Sequence, residues 1–69
     1  MDGLERFTGK RVKITDKDGK EYVGTVEQVY SGGESPEGET VEVYLDNKPF
    51  KPIELFTENI VGCEIIFGK

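Results

Sequence analysis

Histidine and tryptophan are absent from this chain, and cysteine and methionine occur once each. Each absence removes a class of chemistry. One Cys63 and no His allow neither an internal disulfide nor a zinc-type ligand set. The same gap leaves Cys63 without a base to activate it as a nucleophile, so a small buried hydrophobe is its expected role. No apolar run reaches the roughly 20 residues of a membrane span. The acidic start Met1-Asp2-Gly3 lacks the basic and apolar regions of a signal peptide. A cytoplasmic chain with no membrane contact is therefore expected. Residues 23–47 contain no Lys or Arg at all, and the net charge is -5. Nucleic-acid affinity comes mostly from phosphate neutralisation, so the balance disfavours RNA as a partner. No Gly-rich motif leads into a helix as a phosphate cradle would require.

What is present points to one small folded domain spanning residues 1–69. A chain of this length buries only about 60% of the surface its unfolded form exposes, so its stability is modest, on the order of 3–10 kcal/mol. Four Phe, three Tyr and many Val and Ile supply core formers despite a hydrophobic fraction of 35%.

The apolar pattern has a period of two. Val12 and Ile14 alternate with Lys13 and Thr15, which predicts a half-buried strand from Arg11. Asp16-Lys17-Asp18-Gly19 supplies turn chemistry, and Lys20 to Tyr30 predicts a longer strand. That strand is expected to bend. Gly24 stands mid-strand, where it suits a curve or a close backbone approach, and the three-residue spacing from Val26 to Val29 requires a slip in alternation. Residues 31–39, with no core former, read as an acidic loop. Val41, Val43 and Leu45 mark a third strand from Thr40, and Asp46-Asn47-Lys48-Pro49 marks a turn. A fourth strand carries Ile53 and Leu55, with Pro52 confined to an edge or a strand start. Thr57-Glu58-Asn59 is a tight connection to a last strand, Ile60 to Phe67. Before these strands, Asp2-Gly3-Leu4-Glu5 has the form of a capping box, and one helical turn would drop Leu4 and Phe7 onto a core. The expected fold is all-β, a five-stranded small barrel with a short N-terminal helical turn.

Few residues offer chemistry. Asp16-Lys17-Asp18-Gly19 lacks the oxygen ligand two residues earlier and the Glu at the twelfth position of a calcium loop, so it reads as a turn. Glu34, Glu37 and Glu39 sit in a Gly-rich loop that offers no desolvation to raise a carboxylate pKa. No catalytic residue, metal or cofactor is expected, and the chain is not expected to be an enzyme. Tyr30, Tyr44, Phe50 and Phe56 are candidate partner-binding aromatics, since each offers a broad apolar face. A peptide groove of SH3 type would use Tyr30, Tyr44 and Phe50, but they are scattered and no Trp joins them. Lys10, Arg11, Lys13, Lys17 and Lys20 could form a phosphate track.

Gly9-Lys10-Arg11-Val12-Lys13-Ile14, Asp18-Gly19-Lys20 and Gly24-Thr25-Val26 together resemble the first half of an Sm-like (LSm) domain. The stretch Glu58-Asn59-Ile60-Val61-Gly62-Cys63-Glu64-Ile65-Ile66 is similar to that family's last strand. The likeness covers residues 4–30 and 53–67. It implies a bent, five-stranded Sm-like or SH3-like small barrel, assembly through the last two strands and RNA contact at two loops, with Asn59 matching one contact position. The chain departs from the family at those loops. Ser31-Gly32-Gly33-Glu34 replaces an Asp-x-Met-Asn pattern, and Phe56-Thr57 stands where Arg-Gly would. The groups that stack on bases, grip phosphate and read a base edge are therefore missing.

The last strand is apolar on both faces, with Val61, Cys63, Ile65 and Phe67 on one and Ile60 and Ile66 on the other. A single small barrel has one interior, so the second face meets either Leu4 and Phe7 or another subunit. The leading expectation is a homo-oligomeric interaction module whose interface includes Ile53, Leu55, Ile60 and Ile66.

Overall fold

The computed structural model describes residues 1, 3–30 and 38–67. Five strands form one antiparallel sheet: β1 (Arg11–Asp16), β2 (Glu21–Tyr30), β3 (Thr40–Leu45), β4 (Lys48–Phe56) and β5 (Ile60–Ile65). Their order across the sheet is β4-β3-β2-β1-β5. A short 3-10 turn, Leu4–Phe7, precedes β1, and a second, Thr57–Asn59, links β4 to β5. The all-β expectation and the helical turn at the N-terminus agree with this architecture. The acidic segment's residues 31–37 and the capping candidate Asp2 lie outside the described residues; Gly3 holds the N-cap, with no side-chain cap bond.

Alternation sets the core. Val12 and Ile14 of β1, Val26 of β2, and Val41 and Val43 of β3 turn one face inward and are fully buried. Leu4 and Phe7 cover them from the N-terminal turn, three residues apart and both buried. Met1, Tyr22, Val29, Leu45, Ile53, Leu55, Cys63 and Ile65 pack around this cluster. The N-terminal amine donates to the Thr57 carbonyl at 2.5 Å and ties the chain start to the β4–β5 link.

The β1–β2 hairpin is closed by Asp16. Its Oδ1 accepts the N–H groups of Asp18 and Lys20, both at 2.9 Å, while Gly19 takes φ 85°. That left-handed conformation suits glycine because it has no Cβ to clash.

β2 bends as its sequence demands. Val26 faces Val43 but Gln28 faces Glu42, so the register slips by one residue at Glu27. The extra residue satisfies the three-residue spacing from Val26 to Val29. At Gly24, a Cβ would lie 2.3 Å from the Tyr44 carbonyl oxygen and 2.8 Å from the Leu45 Cα. Backbone, not side chain, occupies that space, so only glycine fits.

Two expectations need correction. Lys48 and Pro49 belong to β4 rather than to the preceding turn, and β4 is longer than the apolar pair Ile53 and Leu55 suggests. Pro49 and Pro52 are tolerated here because β4 is a sheet edge and both lie between Lys48 and Ile53, where the strand is out of register with β3. The second correction concerns β5. Thr15 faces Gly62 but Asp16 faces Ile60, which leaves Val61 as an extra residue. The slip reverses the alternation, so Ile60 is 3% exposed and joins the core, while Val61 is 65% exposed. Ile60 and Ile66 therefore do not share an outer face.

Candidate interaction surfaces

Among the described residues, β4 and β5 end the ladder, so each presents one edge with no strand beside it. Backbone parity shows what each edge offers. In an antiparallel pair, opposed residues alternate between those that exchange hydrogen bonds and those that turn their N–H and C=O away. Ile66 donates its N–H to the Arg11 carbonyl at 2.8 Å, which directs Ile66 toward β1. Counting back in register, Glu64 and Gly62 also bond toward β1, while Ile65 and Cys63 turn their backbone groups to the open edge. On the opposite flank, Thr57 donates to the Glu39 carbonyl at 3.0 Å. Leu55 and Ile53 then bond toward β3, and Phe56 and Glu54 face the open edge, but beyond Ile53 the register breaks and pairing resumes only at Lys48, opposite Leu45. Pro52 lies in that break and has no N–H to give.

The four expected interface residues are dispersed by these facts. Ile53 and Leu55 are half-buried against the core, and Ile60 is inside it. Ile66 is half-buried, outside the core cluster, on the face of β5 opposite Cys63 and Ile65. The N-terminal turn is occupied with the core and does not account for Ile66. Two exposed apolar residues lie on or beside β5, namely Val61 and Phe67, the latter 86% exposed.

The aromatics do not form one groove. Phe50 on β4 is 84% exposed, Phe56 is exposed at the other end of that strand, and Tyr44 is half-buried on β3. Tyr30, at the end of β2, donates its hydroxyl to Glu42 Oε1 at 3.4 Å. Lost hydration and the carboxylates of Glu42, Glu54 and Glu27 hold its phenol above the ordinary pKa. Glu42 and Glu54 face one another across β3 and β4 at a position of the non-bonded kind, where side chains approach most closely.

The basic stretch is partly committed. Arg11 Nε and Nη2 both donate to Asp46 Oδ2, at 2.9 and 2.5 Å, and this bond with its attraction raises the guanidinium pKa. Lys13 stands 3.8 Å from Glu21, and the Lys20 ammonium lies 5.3 Å from the Tyr22 ring centre. Lys10 and Lys17 are exposed. Lys17 donates its backbone N–H to the Asn59 carbonyl at 2.8 Å, so Asn59 is placed as a connector between the β1–β2 turn and β5. Arg11 and Lys13 lie on β1, whose six residues span roughly 20 Å, with Lys10 just before the strand and Lys17 and Lys20 in the connection beyond it.

Sequence reasoning missed Asp46 as the partner of Arg11, because the two are 35 residues apart. It also missed an open groove of about 490 Å³ between the two hairpin turns, lined by Lys20, Glu21, Tyr22, Val23, Leu45, Asp46, Asn47 and Lys48. Cys63 is half-buried, and burial pushes its thiol pKa up against a smaller opposing pull from Arg6. Among the described residues, no group of three His, Cys, Asp or Glu could hold a metal ion, and no helix is long and apolar enough to cross a membrane.

Set against family models, characterised proteins and solved structures, the chain gives no match.

Proposed function

We propose that this chain is a non-enzymatic interaction module, a small barrel of Sm-like type, that self-associates through its edge strands, Lys51–Leu55 and Ile60–Phe67. The observation that carries the reading is the strand order β4-β3-β2-β1-β5, which leaves two edges beside exposed apolar residues. Unpaired edges are templates for another strand, and backbone bonding across them is a recurrent mode of association. The bend of β2 at Gly24 and Glu27 and the three-residue link from β4 to β5 support a sheet curled into a barrel. The reading puts the module in the cytoplasm, in keeping with one unpaired cysteine. RNA is the lesser alternative, since Arg11 and Lys13 already face carboxylates.

Native mass spectrometry tests the reading. The expected result is a discrete multiple of the 7.7 kDa chain, reduced toward the monomer by Ile66→Glu. A monomeric parent protein, or an unchanged mass in the variant, overturns it. RNA retained at low salt and lost steeply as salt rises would promote the alternative.

A further inference from the structure

The two open edges differ in a way that selects the partner. β4 carries Lys48, Pro49, Lys51 and Pro52, and its register against β3 breaks between Lys48 and Ile53, so no continuous edge runs through the two prolines. Proline and lysine are the devices by which proteins blunt an edge against pairing. β5 has neither between Ile60 and Ile65, and it is bordered by exposed Phe67. We propose that β5 pairs antiparallel with β5 of a second copy across a two-fold axis at Ile65. This rests on the self-association proposed above and specifies its partner and register.

The register follows from parity and charge. Cys63 and Ile65 direct backbone groups outward, and the same alternation carried forward adds Phe67. A two-fold axis at Glu64 would set two Glu64 carboxylates against each other at a close, non-bonded position, which like charge opposes. An axis at Cys63 would draw Val61 into the ladder, where the bulge disrupts regular pairing. With the axis at Ile65, Ile65 meets Ile65, Cys63 meets Phe67 and Glu64 meets Ile66. Three bonded pairs then exchange roughly six hydrogen bonds. Cys63, Ile65 and Phe67 lie along one face, so Phe67 is covered by the second copy. The overlap is short, which places the dimer at the small end of specific interfaces.

Cysteine cross-linking of the full chain reads the register directly, because bonded antiparallel neighbours lie about 5.5 Å apart at Cα, within disulfide reach. At about 100 µM, a concentration suited to a small interface, copper–phenanthroline oxidation is applied to three proteins. The parent protein has Cys63 alone; the others carry Ile65→Cys or Glu64→Cys in a Cys63→Ala background. Covalent dimer in the Ile65→Cys protein, at least tenfold above the parent, is the expected result. Stronger linking through native Cys63 or through Glu64→Cys overturns the register. Native mass of the parent protein separates this proposal from the reading beneath it. A dimer is expected; a larger closed assembly overturns the two-fold pairing but leaves edge-strand association standing, and a monomer overturns both. Ile66→Lys, which sets a cation opposite Glu64, is expected to raise the dimer fraction. A fall in that variant while its far-ultraviolet circular dichroism stays native would also overturn the register.

Discussion

At the scale of single residues, Gly24 and Cys63 carry the sharpest consequences. Gly24 is held against the backbone of Tyr44 and Leu45, so a methyl group has nowhere to go. Gly24→Ala should cost about 3 kcal/mol, the upper range for overpacking a tight site. A domain of this size has on the order of 3–10 kcal/mol in total, so the variant should unfold at a much lower urea midpoint. A midpoint near that of the parent protein would mean that β2 and β3 can separate at little cost. Cys63 acts through protonation. Its folded pKa is raised, so its contribution to stability is complete below the unfolded thiol pKa and is lost as pH climbs through the folded value. Stability should therefore fall on the alkaline side, less so in Cys63→Ala. Iodoacetamide should modify the native thiol more slowly than the urea-unfolded one, and Arg6→Gln should slow it further by removing an attraction that lowers the pKa.

At the scale of elements, one cross-strand pair opposes the fold. Glu42 and Glu54 stand opposite each other with Glu27 near the same end of the sheet, and like charges so placed destabilise. Glu54→Lys should raise stability by about 0.5 kcal/mol and lower the Tyr30 pKa, readable by thermal melts and ultraviolet titration of tyrosine. An unchanged Tyr30 titration would show that Glu54 lies too far to act on it. The strands themselves were readable wherever alternation ran unbroken, as from Val12 to Ile14 and from Val41 to Leu45. The Val26-to-Val29 spacing even announced its bulge. The bulge at Val61 had no such mark, since Ile60, Val61, Cys63 and Ile65 are all apolar and either register reads alike. The start of β4 was hidden for a different reason: Pro49 argues against a strand, and it is accommodated where this edge strand leaves its register with β3.

At the scale of the whole molecule, local sequence says little about which edges stay open, because edge status depends on the full strand order. The order β4-β3-β2-β1-β5 places the chain's last two strands at opposite ends of the sheet, though they are joined by only three residues. The proposed pairing between copies would couple folding to concentration. Anything that binds the native state and not the unfolded one stabilises it by mass action, and under that proposal a second copy is such a ligand. For a dimer that dissociates as it unfolds, each tenfold rise in concentration adds about 0.7 kcal/mol per chain. In a chain of this length that shift raises Tm by about 5 °C. Scanning calorimetry from about 10 to 300 µM should show that slope in the parent protein if its affinity falls in the range expected of a small interface. Ile66→Glu should flatten the slope, since it sets a second carboxylate opposite Glu64 of the neighbour. A parent protein whose Tm does not move with concentration is a monomer across that range, and its stability belongs to one chain's core alone. The −5 net charge sharpens the same measurement, because copies repel at low ionic strength. Added salt should therefore steepen the approach to the paired state, whereas binding to phosphate would weaken under the same change.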